Sequence, residues 1–95
     1  MPPAVPALRR AQVLARYPHL GHGFTQGLLS DGSTVWESTG QYGISALRRY
    51  RLGAERDEDC GLVPPELFAE GICLAGDRLW QLTWREGVEI GRAHV

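Results

Sequence analysis

The sequence predicts an all-β fold built from repeated strand–turn–strand units, a partial β-propeller. The segments FTQGLLSDGSTVWESTGQYG (24–43) and FAEGICLAGDRLWQLTWREG (68–87) align without a gap at an offset of 44 residues, with six identities in twenty positions. A period of 40–50 residues is the size of one four-stranded propeller blade. Short apolar-rich runs also alternate with turn signals such as SDGS and GQYG, and no segment has a long, capped helical period.

The elements follow in order along the chain. Residues 1–10 contain three prolines and predict a flexible lead-in, and residues 11–16 predict an outer strand. The strands predicted after it are FTQGLLS, TVWEST, ISALRRYRL, FAEGICL and RLWQLTW. Short helices at 44–52 and 65–70 remain alternatives, since the apolar spacing of 44–52 also fits a helix.

Two units cannot close a propeller, which needs at least four blades. Residues 11–89 are therefore expected to be the N-terminal portion of a larger propeller domain, or a unit that assembles with others. Residues 90–95, IGRAHV, match one reading frame of a widely used DNA-sequencing adapter up to its stop codon. We expect them to be translated adapter sequence and assign no function to Arg92 or His94.

Composition excludes several classes of function. The chain is 43% hydrophobic and 22% charged with a net charge of −1, which gives no sign of a nucleic-acid or membrane partner. There is no transmembrane run and no recognisable secretory signal, so localisation is not indicated.

Cys60 and Cys73 fit no zinc or redox spacing, and we expect two partly buried thiols, with a disulfide as the alternative. His19 and His22 lack a third ligand nearby, so we predict loop histidines and no metal or cofactor.

Five sequence motifs occur in this order: YPH (17–19), FTQGL (24–28), ESTGQYG (37–43), FAEGI (68–72) and GDRLWQLTWREG (76–87). Together they resemble the N-terminal part of the plant and bacterial type of glutamine cyclotransferases (glutaminyl-peptide cyclotransferases). The resemblance runs from about residue 11 to 88. It implies a five-bladed β-propeller, of which this chain holds the first two blades. It also implies an enzyme that acts without catalytic zinc on peptides or proteins with an N-terminal glutamine.

The resemblance is not complete. The family usually continues YPH with Asp-Pro, where this chain has Leu20 and Gly21, and it usually has Gly where Ala69 stands. Members are often secreted or periplasmic. We expect the parent protein to be a monomer.

The implied reaction converts an N-terminal glutaminyl residue to pyroglutamate and releases ammonia. The substrate's own α-amine attacks its γ-carboxamide, so the enzyme must mainly fold the side chain into the attacking geometry. One carboxyl group can serve as base and then as acid if apolar surroundings raise its pKa. By the resemblance, Glu70 is the expected acid/base, and a surface carboxylate is the alternative. Gln26, at the equivalent place in the first unit, would hydrogen-bond the substrate or be an ordinary polar strand residue.

Three aromatic residues complete the predicted site. Phe24 and Phe68 precede Gln26 and Glu70 by two positions and so share their strand face, as substrate-channel walls or as blade core. Trp84 stands at the end of the LTW word, where the resemblance places a substrate-pocket tryptophan.

Other conspicuous side chains have simpler interpretations. Trp36 and Trp80 recur at equal positions and are predicted to pack within the blades. Glu37 and Arg85 are predicted to face solvent, or to pair with each other.

A second class of function also fits the sequence. Many propellers only bind a peptide or protein, and a non-catalytic segment of that kind is the alternative to the cyclotransferase. A carboxyl group at Glu70 separates the two, because a binding scaffold does not need it. We also expect the 95-residue chain alone to lack turnover, since a propeller's central site takes residues from all its blades.

Overall fold

The computed structural model describes residues 4–21 and 23–93, which form two antiparallel sheets. The first sheet has the strand order β1-β2-β3-β4 and the second β5-β6-β7. The strands are β1 (Phe24–Asp31), β2 (Thr34–Gly40), β3 (Ala46–Arg51), β4 (Asp59–Leu62), β5 (Ala69–Ala75), β6 (Arg78–Thr83) and β7 (Glu89–Ala93). The predicted all-β class is confirmed, whereas the propeller and its blade count stay predictions.

The strand predicted within 44–52 is confirmed, whereas the helical alternatives and the outer strand predicted at 11–16 are wrong. The segment 44–52 holds strand β3, and 65–70 is a turn that leads into β5, so neither forms the alternative helix. Residues 11–16 are not a strand, because they pair with no neighbour. Within the described ranges, no helix is long and apolar enough to cross a membrane. Residues 90–93 belong to β7, which pairs with β6, and their adapter origin stays a prediction.

The structure tests the cysteine prediction at Cys73 but not at Cys60. Cys73 is a free thiol and is exposed, so for this residue both partial burial and a disulfide are wrong. The side chain of Cys60 lies outside the described part of the structure, and so do His22 and His94.

Tight turns close the first hairpin of each sheet. Asp31 pairs with Thr34, and Ala75 pairs with Arg78, so each turn has two residues. The first turn residue is Gly32 or Gly76, each with φ of +62°, a left-handed conformation that glycine adopts without steric cost. The SDGS and AGD signals therefore mark hairpin turns, as predicted.

A bulge interrupts the first strand of each sheet. Thr25 pairs with Thr39 but Gly27 pairs with Ser38, which leaves Gln26 as an extra residue in β1. In β5 the register shifts between Ala69 and Ile72, around Glu70. Because a bulge bends its strand and redirects side chains, Gln26 and Glu70 both leave the regular ladder.

The two sheets pack face to face through one apolar core. Its buried members are Trp36, Leu47 and Leu79, against which Leu29, Ile72 and Leu74 pack. Trp36 is thus a packing residue, as predicted. One buried polar contact joins the sheets beside this core: the Gln81 amide Nε2 donates to Ser38 Oγ at 2.9 Å and to the Ala46 carbonyl at 3.3 Å. A hydrogen bond in an apolar environment fixes the relative position of the sheets as well as stabilising them.

Two glycines set how closely the sheets approach. A Cβ on Gly27 would lie 3.0 Å from both the Gly71 Cα and the Ile72 nitrogen. A Cβ on Gly40 would lie 2.4 Å from Phe68 Cε1 and 2.8 Å from the Ala69 carbonyl oxygen. Only glycine fits at these points without moving the opposite sheet.

Glu37 is wholly buried, so the prediction that it faces solvent is wrong. Its Oε2 lies 2.6 Å from His19 Nε2 and accepts a hydrogen bond from Thr25 Oγ1. The next residue after His19 is tied down as well, because Arg48 Nη1 donates to the Leu20 carbonyl at 3.2 Å. The segment just before β1 is therefore fixed to the first sheet at His19 and Leu20.

We predict that Gly40→Ala destabilises the protein. The added methyl must displace the Phe68 ring and the Ala69 carbonyl, and overpacking of this kind costs about 1–3 kcal/mol. Gly71→Ala is the matched control, since a Cβ on Gly71 meets no atom within 4 Å. Urea unfolding measures both variants. Equal free energies of unfolding for the two variants would contradict the close approach described above.

We also predict that Tyr50 ionises at a higher pH than an ordinary tyrosine. Burial, and then the charge of Glu37 and a hydrogen bond to it, raise the pKa of Tyr50 above its usual value of 10.0. A pKa higher in the folded than in the unfolded state means that Tyr50 contributes its full stability below pH 10. This contribution is lost as pH rises through the folded-state pKa. Tyrosinate absorbance should show a phase above pH 10 that Tyr50→Phe abolishes; an unchanged titration curve in the variant would refute the assignment.

Candidate active site

Phe68 is the centre of an aromatic cluster at the junction of the two sheets. Its ring centroid lies 6.4 Å from that of Phe24, 5.3 Å from that of Trp84 and 5.4 Å from that of Tyr42. Phe68 itself is buried, whereas Phe24, Trp84 and Tyr42 are each about half exposed, at 52%, 50% and 51%. The four rings therefore form an apolar wall that is open on one side. Because it is half exposed, Phe24 is not the core residue of the alternative interpretation.

The chain around Trp84 is held against Phe68 by the backbone. The Trp84 amide donates to the Phe68 carbonyl at 2.9 Å. The Glu86 carboxylate accepts from the Phe68 amide at 2.8 Å and from the Arg85 amide at 2.7 Å. Sequence reasoning gave Glu86 no role, yet its two oxygens position the start of β5 relative to the turn that follows β6.

Tyr42 is a member of the cluster that sequence reasoning missed. Its loop is tied to the second half of the chain, since the Gly43 amide donates to the Pro65 carbonyl at 2.9 Å. Ser45 Oγ donates to the Gln41 carbonyl at 2.8 Å and accepts from the Ala69 amide at 3.0 Å. Gln41 has φ of +98°, an uncommon conformation for a non-glycine residue. The one signal for Tyr42 was an aromatic residue inside the turn GQYG.

Gln26 lies beside the aromatic cluster. It is half buried, and its Cγ would lie 3.0 Å from a Cβ on Gly40, close to where Phe68 Cε1 meets the same position. The structure thus brings Phe24, Gln26, Phe68 and Trp84 together, although they come from both sheets.

Glu70 occupies the bulge of β5, two residues after Phe68. Its side chain is half buried. Its carbonyl oxygen lies 3.3 Å from the position of a Cβ on Gly27, the residue after Gln26. The two bulges are therefore in direct contact, and Gln26 and Glu70 lie at the same end of the junction.

A cation sits at the rim of the cluster. The Arg85 guanidinium carbon is 4.1 Å from the Trp84 ring centroid, a cation–π distance, and Arg85 is exposed. Its predicted solvent exposure is confirmed, and its pairing with Glu37 is wrong because Glu37 is buried with other partners.

The donor set of the site contains one carboxylate and one amide beside aromatic rings. Among the residues with described positions, no three His, Cys, Asp or Glu side chains come together as metal ligands. His19 is engaged with Glu37. Aromatic walls can pack against the methylene groups of a bound side chain, while Gln26 offers both a hydrogen-bond donor and an acceptor. Glu70 adds a group that can accept and return a proton.

Comparison with known proteins identifies the family of this chain. Residues 2–94 match the family model described as glutamine cyclotransferase. The glutaminyl-peptide cyclotransferase of Arabidopsis thaliana is 40% identical over 78 residues, which is 81% of this chain and 24% of that protein. The chain thus spans about a quarter of the length of this relative. A match of this extent shows that the chain belongs to the glutamine cyclotransferase family.

Proposed function

We propose that this chain supplies part of the catalytic site of a glutaminyl-peptide cyclotransferase. The observation that carries the proposal is the contact between the two bulges, which brings Gln26 and Glu70 to one end of the aromatic cluster. The name of the Arabidopsis relative and the family match support the same activity. The substrate is a peptide or protein with an N-terminal glutamine, and the product carries pyroglutamate.

The proposed reaction is an intramolecular acyl transfer. The α-amine nitrogen of the substrate attacks the side-chain amide carbon, and a carbon–nitrogen bond forms as the carbonyl becomes tetrahedral. Glu70 takes the proton that the attacking amine loses and passes it to the departing amide nitrogen. The original carbon–nitrogen bond then breaks, and ammonia leaves behind a five-membered lactam. The two reacting groups belong to one residue, so most of the catalytic benefit comes from holding that residue folded.

The other predicted residues hold the substrate in this scheme. Phe24, Phe68 and Trp84 pack against the methylene groups of the glutamine side chain, which favours its folded conformer. Gln26 hydrogen-bonds the substrate amide or amine. Both roles fit the half-open shape of the cluster and the half-buried position of Gln26.

We further propose that the two sheets are the first two blades of a five-bladed propeller that functions as a monomer. Face-to-face packing of the sheets through Trp36, Leu47 and Leu79 is the arrangement that neighbouring blades adopt. The site would then be completed by residues from the other three blades.

A non-catalytic peptide-binding segment is the second candidate. The half-exposed rings of Phe24, Tyr42 and Trp84 favour it, since aromatic surfaces of this kind bind peptides. A binding segment needs these rings but has no need of a titratable group at Glu70. Substitution of Glu70 therefore distinguishes the two candidates.

In the full-length protein that contains this chain, we predict that Glu70→Gln lowers kcat by about 10²–10⁴-fold, the usual contribution of a general acid/base, with little change in KM. The substitution keeps the size of the side chain and removes its ability to carry a proton. Glu66→Gln is the matched control, because Glu66 is an exposed carboxylate in the preceding turn. The rate of ammonia release from a glutaminyl peptide measures its cyclisation by each variant. A kcat within a few-fold of wild type would favour the binding segment.

The isolated 95-residue chain is predicted to release no ammonia from the same peptide above the spontaneous rate. The proposed site needs groups from further blades to enclose and orient the substrate. Mass spectrometry of the peptide, with and without the purified chain, measures the difference. Multiple turnovers by the isolated chain would show that its own residues suffice.

A further inference from the structure

We propose that Glu37 is a positioning residue for Gln26, acting through Thr25. Glu37 takes no part in the reaction scheme above, yet it is among the most buried side chains of the described structure. The inference rests on the proposed function, because positioning Gln26 matters for activity only if Gln26 contacts the substrate. The effect of Thr25 on the position of Gln26 can be tested in a crystal structure, without an activity measurement.

Burial of a carboxylate in the middle of a strand is costly, and pairing offsets that cost. The hydrogen bonds of Glu37 with His19 and Thr25 both fall on Oε2, whereas Oε1 has no hydrogen-bond partner among the described residues. The partners of Glu37 come from different parts of the chain: His19 from the segment before β1, 18 residues away, and Thr25 from β1, 12 residues away. Tyr50 of β3 forms a side-chain hydrogen bond with Glu37, and this bond and the charge of Glu37 add to the effect of burial in raising the Tyr50 pKa. Glu37 of β2 therefore connects the segment before β1 with β1 and β3.

The contact with Thr25 lies next to the bulge. Thr25 is the last paired residue of β1 before the extra residue Gln26, and Gly27 is the first paired residue after it. Ladder hydrogen bonds do not define the orientation of an extra residue, so its neighbours must do so. Glu37 holds Thr25 on one side, and the Gly71 and Ile72 backbone confines Gly27 on the other. Gln26 is thereby fixed from both ends.

The second sheet shows that this contact is particular to the first. The residues 44 positions after Thr25 and Glu37 are Ala69 and Gln81. Ala69 has no hydroxyl group, and its amide is held by Ser45 Oγ instead. Gln81 is also fully buried but donates across to the first sheet. Gln81 thus fastens the second sheet to the first, whereas the equivalent Glu37 holds Thr25, the residue before the bulge of its own sheet.

A double-mutant cycle in the full-length protein tests the role. Thr25→Val removes the hydroxyl while keeping the shape, and we expect kcat/KM to fall about tenfold, the scale of one lost hydrogen bond to a charged group. Thr25→Ser restores the hydroxyl and should recover most of the loss. Ser30→Ala, which removes an exposed hydroxyl elsewhere in β1, is the control.

The cycle is completed with Gln26→Ala. If Thr25 acts through Gln26, Thr25→Val has no further effect once Gln26 is removed. An equal loss in both backgrounds, or no loss in either, overturns the positioning role, because a residue that only stabilises the fold acts independently of Gln26.

A crystal structure of the Thr25→Val protein gives a readout besides activity. We expect the Gln26 side chain to leave its place against Gly40 and Phe68 while β2 stays unchanged. If the wild-type protein has no cyclase activity, the proposed function fails, but this displacement still supports the positioning role. If Gln26 keeps its place in the variant, the positioning role is wrong whether or not the protein is a cyclase.

Discussion

The close approach of strands β1 and β5 at their bulges is the constraint on which the rest of the structure depends. Gly27 and Gly40 permit the approach, because neither site has room for a Cβ. The apolar core and the Gln81 hydrogen bonds hold the sheets at that distance. With the sheets so close, Phe68 of one lies over Gly40 of the other, and the two bulges meet. The candidate site is thus a consequence of how the sheets pack.

The contrast between Gly40 and Trp84, which are 44 positions apart, follows from the same packing. Gly40 must be small because Phe68 of the neighbouring sheet covers it. Trp84 packs beside Phe68, carries the Arg85 guanidinium over its ring, and is about half exposed. The two equivalent positions therefore differ in their relation to one ring: Gly40 lies under Phe68 of the other sheet, and Trp84 lies beside it.

Strands and turns of the fold could be predicted from sequence because apolar patterning and glycine turns are local signals. The residues of the candidate site could be predicted because they belong to distinctive sequence motifs. Their assembly could not, because register shifts leave no local signal. The burial of Glu37 was not predicted, because a charged residue is rarely buried and because its partners are distant in sequence. Residues 44–52 fit both helix and strand locally, and pairing with β2 decides for the strand.

We propose above that Gln26, Glu70 and the Phe68 cluster form one substrate site. The most direct test is a crystal structure of the full-length Glu70→Gln protein with a glutaminyl peptide bound. We expect the substrate side chain to pack on Phe68 and its α-amine to lie about 3 Å from the side chain at position 70, within hydrogen-bond reach. A peptide bound away from Phe68, or a side chain at position 70 that points away from the amine, would contradict it.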